Sequence, residues 1–236
     1  IVNSDWSSDV CSSDLWILLS TLGLLLVSSV VLLITVMSRK KKDKEVCIIG
    51  LNGSGKTKLF YKICTKQTYS TITSMEKNEF QLAFGNKKVN LTDLPGHPRI
   101  RTEVISTIKN ADALIFTVDS KTIFSQISDI ANFLYDIFSL KEIYTRKIPI
   151  LIASTKTDLE GSRSIEIIKS ELEKEITDLR ANRQQSNFVE NDDNIYIGEE
   201  GIDFEFSQLP NDVQFGTTST ISDQISTVVD FIDKNT

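Results

Sequence analysis

Cysteine is scarce: three thiols among 236 residues. Two of them, Cys47 and Cys64, sit in an apolar strand and in the helix after it, where cysteine serves as a small hydrophobe. Their spacing matches no metal site, and an odd, scattered set of thiols points to a reducing compartment for the folded part. Basic charge is also short. With 26 Lys and Arg against 32 Asp and Glu the net charge is −6. No cationic domain exists to neutralise phosphates, which argues against direct nucleic-acid recognition. Histidine occurs once, as His97.

Charge vanishes altogether over residues 15–37, a run of mostly Leu, Val and Ile. At about 1.5 Å per residue it reaches roughly 34 Å, enough for a transmembrane helix. The run is longer than the apolar region of a signal peptide. A core helix would show polar residues at helical spacing, and this run has only scattered Ser, Thr and Gly. Asp5, Asp9 and Asp14 precede it; Arg39, Lys40, Lys41, Lys42 and Lys44 follow it. By the positive-inside rule the C-terminal part faces the cytosol, and Trp16 sits at an interfacial depth. The basic linker, 38–44, can also meet anionic lipid, with retention of topology as its plainer role. Residues 1–14 begin with Ile and repeat Ser-Asp three times. They read as a short luminal or non-native tail. The remaining 45–236 suits one globular domain.

That domain opens on a phosphate-binding pattern. Gly50, Leu51, Asn52, Gly53, Ser54, Gly55, Lys56 and Thr57 fit G-x-x-x-x-G-K-[ST]. The glycines allow a tight turn that aims successive N–H groups at one anion. Lys56 can reach the β- and γ-phosphates, and the Thr57 hydroxyl can ligate Mg²⁺. Glu45 to Ile49 reads as the strand entering the loop. Thr57 to Ile63, including Lys58, reads as the helix leaving it, its N-terminus toward the phosphates.

Strands and helices alternate from there on. Phe80 to Phe84 and Lys88 to Thr92 suggest a hairpin around Gly85-Asn86. Ala113 to Val118 and Ile148 to Ala153 are continuous apolar runs, as in strands covered on both faces. Ile123, Ile127, Ile130, Leu134 and Ile137 recur at helical spacing, and so do Ile165, Ile168, Leu172, Ile176 and Leu179. Val213 to Thr217 and Ile221 to Ile232 supply a last strand and helix. The pattern predicts an α/β fold: a mostly parallel six-stranded sheet with helices on both faces, preceded by the membrane helix. Residues 182–201, rich in Asn, Asp, Gln and Glu, read as a long mobile insert.

Two further stretches choose the nucleotide. Asp93-Leu94-Pro95-Gly96-His97 ends a strand; Asp93 would reach Mg²⁺, and the Gly96 N–H would meet a γ-phosphate only when one is present. Thr155-Lys156-Thr157-Asp158 resembles the N-K-x-D guanine motif, with Thr155 in place of Asn. The Asp158 carboxylate can accept two hydrogen bonds from a guanine edge while the Lys156 stem covers the ring. Ser219, in Thr218-Ser219-Thr220, stands where a backbone N–H would meet the guanine oxygen. Thr71-Ile72-Thr73-Ser74 is the candidate first switch; Thr71 is the favoured hydroxyl for Mg²⁺ and Thr73 the alternative. Many GTPases carry a Gln after D-x-x-G to orient water. His97 holds that place and is the candidate catalytic residue, with assisted turnover and no meaningful turnover both open.

These residues together resemble the family of signal recognition particle receptor β subunits, small GTPases related to the Arf and Sar group. The resemblance rests on the apolar anchor directly before a P-loop GTPase domain, on Thr71-Ile72-Thr73-Ser74 and on Asp93 to His97. It rests also on Ala131-Asn132-Phe133-Leu134-Tyr135 and, most specifically, on Asp203-Phe204-Glu205-Phe206-Ser207-Gln208-Leu209-Pro210. It implies a P-loop GTPase fold, GTP/GDP and Mg²⁺ as ligands, and a single-pass protein of the endoplasmic reticulum membrane. It implies GTP-dependent docking of the receptor α subunit, with the ribosome and the translocon as further contacts. An Arf-like GTPase of vesicle traffic and a scaffold that holds nucleotide without turnover are the alternatives. Arf-type proteins lie on membranes without a full span, which speaks against the first.

Overall fold

The computed structural model describes residues 9–37, 43–71, 74–84, 87–186 and 195–236. The basic residues 39–42, the switch residues Ile72 and Thr73, the turn Gly85-Asn86 and part of the polar insert therefore lie outside the described residues. The chain divides into two units, Ile1–Lys42 and Asp43–Thr236.

The first unit holds one helix, α1 (Asp9–Met37). Its side chains are described at 16–17 and 19–32, where apolar residues stand exposed, Trp16 at 73 % and Leu24 at 75 %. Among the described residues no helix is long and apolar enough to cross a membrane.

The second unit is built on a six-stranded sheet in the order β2-β3-β1-β4-β5-β6. Its strands are β1 (Lys44–Gly50), β2 (Asn78–Phe84), β3 (Lys87–Asp93), β4 (Ala113–Asp119), β5 (Ile150–Thr155) and β6 (Val213–Thr217). Only β2 runs antiparallel, paired with β3; the other neighbours are parallel. β4 and β5 are buried along their whole length, as their unbroken apolar runs require. The alternation of side chains along each strand then divides the core in two. Cys47, Ile49, Leu114, Phe116 and Ile152 face one layer of helices. This layer holds α3 (Arg101–Ile108), α4 (Ile123–Phe138), α5 (Lys141–Arg146) and α6 (Ile165–Ser186). Val46, Ile48, Ile115, Leu151 and Ala153 face the other. There the partners are α2 (Lys56–Thr65), through Leu59, Phe60 and Ile63, and α7 (Ser226–Asn235), through Val228, Phe231 and Ile232. Removing one large buried ring, as in Phe138→Ala, costs about 3–5 kcal/mol in such a core.

Three elements differ from the sequence expectation. β5 begins at Ile150, because Ile148 closes the turn after α5 with its N–H on the Ile143 carbonyl. Residues before Ser226 do not join the last helix: Ser219 and Gln224 exchange backbone hydrogen bonds and hold a closed turn between β6 and α7. The polar stretch 182–201 is not loop throughout. α6 continues to Ser186. At the far end the Ile195 N–H bonds the Ser139 carbonyl at 2.9 Å and Ile197 is fully buried.

The stretch after the insert is fastened to α6. Phe204 N–H donates to Thr177 Oγ1 at 2.9 Å and Phe206 N–H to Glu173 Oε1 at 3.1 Å. The buried Arg180 guanidinium donates to the carbonyls of Ile197, Glu199 and Ile202. Phe206 stacks edge-on against Phe138, Phe204 and Phe215. Asp203 to Pro210 thus acts as a strap that closes the α4–α6 side of the domain.

Candidate functional site

The loop after β1 sits where neighbouring connections leave the sheet in opposite directions, the usual place for a ligand crevice in an open α/β sheet. The loop is a close-fitting turn. Gly50 has φ +145°, and a Cβ there would lie 2.5 Å from the Thr117 carbonyl oxygen. Behind it the Ser54 and Thr117 hydroxyls meet at 2.7 Å, and the Thr117 hydroxyl donates to the Ile49 carbonyl. Gly55 enters α2 in a left-handed conformation. A cavity of ≈ 250 Å³ opens over this turn, lined by Asn52, Gly53, Gly55, Lys56, Thr57, Lys58, Thr71, Ser74, Pro95, Gly96 and Lys156.

Lys56 is 6 % exposed and its ammonium donates to the Leu51 carbonyl at 2.7 Å. Burial pushes it down to about 8, with the Asp93 charge opposing. Gly96 closes on the same ammonium: a Cβ at Gly96 would stand 2.5 Å from Lys56 Nζ and 2.6 Å from the Gly50 carbonyl oxygen. No side chain fits there, so the backbone of the D-x-x-G segment borders the cavity.

Asp93 is fully buried. Its Oδ2 accepts the Thr57 hydroxyl at 2.7 Å and the Asn78 amide at 3.1 Å, while Oδ1 has no hydrogen-bond partner. Burial pushes this carboxyl above its ordinary value, against the Thr57 hydroxyl, the Asn78 amide and the Lys56 charge. Among the described residues no three His, Cys, Asp or Glu side chains gather as a metal cage. One carboxylate beside hydroxyls is instead the hard-oxygen set that Mg²⁺ shares with a nucleotide's phosphates and water. The unpartnered Oδ1 and the adjoining Thr57 hydroxyl fit that ion.

The first switch is only partly described. Thr71 lines the cavity. The hydroxyl beside Thr57 is that of Ser74, at 3.1 Å, rather than Thr71's. Thr73 lies outside the described residues. His97 does not line the cavity. Its Nδ1 accepts the Arg99 N–H at 3.2 Å and caps the 3₁₀ turn Pro98–Ile100. The candidate catalytic imidazole therefore serves the turn that leads into α3.

The other end of the crevice is a smaller hollow of ≈ 160 Å³, lined by Gly55, Lys58, Thr155, Lys156, Asp158, Leu159, Thr220 and Ile221. Lys156 adopts a left-handed backbone. Its ammonium donates to Asp119 Oδ2 at 2.6 Å and to the Gly53 carbonyl at 2.9 Å, which lays the aliphatic stem along the hollow. Burial works against the Asp119 carboxylate, but the Lys156 ammonium and the Lys121 N–H outweigh it and hold it below the usual carboxylate range. Thr155 is buried, and its hydroxyl donates to the Ser54 carbonyl at 2.7 Å. Asp158 is exposed and accepts the Ser219 hydroxyl at 2.5 Å. The Ser219 N–H is engaged by the Gln224 carbonyl, so Ser219 reaches the site through its hydroxyl, and Thr220 is the residue of this turn that lines the hollow.

Asn78, Thr117 and Asp119 were not singled out by their own sequence surroundings. Each faces a motif residue across the sheet: Asn78 opposite Asp93, Thr117 opposite Gly50 and Asp119 opposite Thr155.

Comparison with known proteins adds a second line. Residues 41–213 match the family model described as signal recognition particle receptor beta subunit. A Dictyostelium discoideum protein, signal recognition particle receptor subunit beta, is 33 % identical over 185 residues, covering 76 % of this chain. The chain spans 64 % of the length of that relative. The structure of the mammalian signal recognition particle receptor superposes with a TM-score of 0.72 at 32 % identity, over 82 % of this chain and all of that one. A receptor β subunit from Chaetomium thermophilum, solved as an SRb-GTP/SRX complex, aligns with a TM-score of 0.68 at 21 % identity, over 81 % of this chain and all of that one; its likeness is one of fold.

Proposed function

The chain belongs to the signal recognition particle receptor beta subunit family, and on that premise we propose that it is a membrane-anchored, Mg²⁺-dependent GTP-binding switch. It docks the receptor α subunit at the cytosolic face of the endoplasmic reticulum. One observation carries the reading: the P-loop, the D-x-x-G segment and the switch residue Ser74 meet around one cavity, joined through Thr57 and Asp93. A γ-phosphate entering that cavity touches all three. Lys56 supplies the cation, the Gly96 N–H a donor, and Thr57 a hydroxyl for the metal, with Asp93 behind it. The hydroxyl of Ser74, or of Thr71 or Thr73, completes the metal's protein contacts. Loss of the γ-phosphate frees the switch and the D-x-x-G segment together, and a partner that reads both is released.

At the base end Asp158 accepts the two N–H donors of guanine while Lys156 covers the ring. The Chaetomium thermophilum protein that shares this fold was solved as an SRb-GTP/SRX complex. His97, turned to cap a 3₁₀ helix, favours slow hydrolysis; the GTP-dependent surface matters more than turnover. The anchor is the exposed apolar run within 15–37, whose side chains need a non-aqueous environment. The basic residues after it set its orientation, and the ribosome and translocon follow as neighbours once the α subunit is engaged.

The test is affinity capture on the full chain in detergent, loaded with GTP or GDP. The receptor α subunit should be recovered with GTP only. Equal recovery with both nucleotides would replace the switch by a scaffold. In membranes, carbonate washing should leave the full chain in the pellet; its release would remove the anchor.

A further inference from the structure

Guanine presents two polar edges. One carries N–H donors at N1 and N2; the other carries the acceptor N7, beside O6. N7 can be read only by a donor. Four side chains with donors line the base hollow: Lys58, Thr155, Lys156 and Thr220. The Lys156 ammonium is engaged by Asp119 Oδ2 and the Gly53 carbonyl. Thr155 has a single O–H. It points at the Ser54 carbonyl at 2.7 Å, with the Val118 carbonyl at 3.1 Å as its other neighbour, and the residue is 4 % exposed. Its side chain lies directly behind the Gly55 turn, where a Cβ would come within 3.5 Å of the Thr155 hydroxyl. Thr155 is thus a brace between β5 and the P-loop, with no donor left over. Asp158, by contrast, is exposed, and a carboxylate that takes one Ser219 hydroxyl keeps lone pairs for two more donors.

Resting on the guanine-nucleotide reading above, we propose that this pocket selects guanine through its N1–N2 edge alone and leaves N7 unread, because Thr155 serves the P-loop instead of the base. The specificity is one-sided: a purine altered at N7 is accepted as readily as guanine, whereas one altered at N2 is refused.

The experiment is displacement of a fluorescent GDP from the full chain in detergent by GTP, 7-deaza-GTP, ITP and ATP. 7-deaza-GTP, which carries C–H in place of N7, should match GTP within about twofold. ITP, which lacks the N2 amine, should bind about tenfold or more weakly, since Asp158 then faces a missing donor. Thr155→Asn brings an amide donor to this position and should open a gap of about three- to tenfold between GTP and 7-deaza-GTP, the worth of one neutral hydrogen bond. Thr155→Val removes the brace while keeping the shape. It should weaken both nucleotides in parallel, with their ratio unchanged. A loss of about fivefold or more for 7-deaza-GTP on the unaltered chain overturns the proposal; whichever of Lys58→Met and Thr220→Val abolishes that loss identifies the reader of N7. Equal affinity for ATP and GTP would instead sink the guanine reading itself.

Discussion

The two ends of the crevice are made differently. The phosphate end is a main-chain mould. Gly50 and Gly96 leave no room for a Cβ, and Ser54, Lys56 and Asp93 are buried behind them. The base end is an arrangement of side chains at the surface: Asp158 is exposed, Leu159 is 37 % exposed and Ile221 66 %. A main-chain mould tolerates no substitution, because backbone atoms cannot move aside one at a time. A side-chain arrangement can lose a member and keep its shape. The match to the phosphate motif is accordingly complete, while the match to the base motif carries Thr155 in place of Asn.

Breaking the mould should have the largest effect. Lys56→Ala removes the buried cation; GTP affinity should fall by about two orders of magnitude, since charged hydrogen bonds contribute about 1.5–3 kcal/mol each and a phosphate tail uses more than one. Capture of the α subunit should fall in parallel. Titration with a fluorescent GTP analogue gives the first number. Parallel loss of both would tie the mould to docking, and unchanged capture would separate them.

At the base end Asp158→Asn supplies one donor and one acceptor where the carboxylate offers acceptors only. The preference between GTP and XTP should move toward XTP by roughly tenfold. A ratio that stays put would remove Asp158 from the base pocket. Because its side chain is exposed, the melting temperature should stay where it was.

A smaller effect comes with pH. Burial lowers Lys56 to about 8 in the nucleotide-free chain. Raising the pH through that value removes the charge that meets the phosphates, so GTP affinity should fall about three- to fivefold between pH 7 and 8.5. The stability of the empty domain responds with the opposite sign. Between about 8 and the ordinary lysine value of 10.5 the unfolded chain binds the extra proton, so this group adds stability as pH rises. Calorimetry in buffers of different ionisation enthalpy should show proton uptake on GTP binding near pH 8.5. Smallest of all, His97→Ala should leave GTP affinity within about twofold, because the lost interaction is the Arg99 N–H cap outside the cavity. Single-turnover hydrolysis measured beside it decides whether the imidazole has any part in turnover.

Much of this site was legible because its motifs are local. Gly50 to Thr57, Asp93 to Gly96 and Thr155 to Asp158 are each one continuous stretch, and the strand–loop–helix periodicity around them fixed where each would lie. The supporting residues were not legible, for a common reason. Asn78, Thr117 and Asp119 touch the site only through sheet register, facing Asp93, Gly50 and Thr155 respectively. Nothing in the residues next to Asn78 says which residue of β3 it will oppose. Knowing the register alone would have exposed all three. His97 and Ser219 were hard to read for a different reason, because local turns engage their groups: the Arg99 N–H donates to His97 Nδ1, and the Ser219 N–H donates to the Gln224 carbonyl.

The strap over α6 makes the polar insert a splice point. Its upstream end is the helix finishing at Ser186, and its downstream end is fixed by the Ile195 bond to Ser139 and by Arg180, which gathers three carbonyls in one guanidinium. With both ends fastened by the domain's own contacts, a flexible graft joined between them is cheap to close: each doubling of such a graft's length adds only about 0.6 kcal/mol of closure entropy. An epitope or a fluorophore-bearing peptide grafted between 186 and 195 should therefore leave the melting temperature and GTP affinity almost unchanged. The same graft combined with Arg180→Met should unfold at markedly lower temperature, since the carbonyls of Ile197, Glu199 and Ile202 then lose a shared donor. This part of the chain can accordingly carry a label or vary in length while the switch at the opposite end of the strands stays as it is.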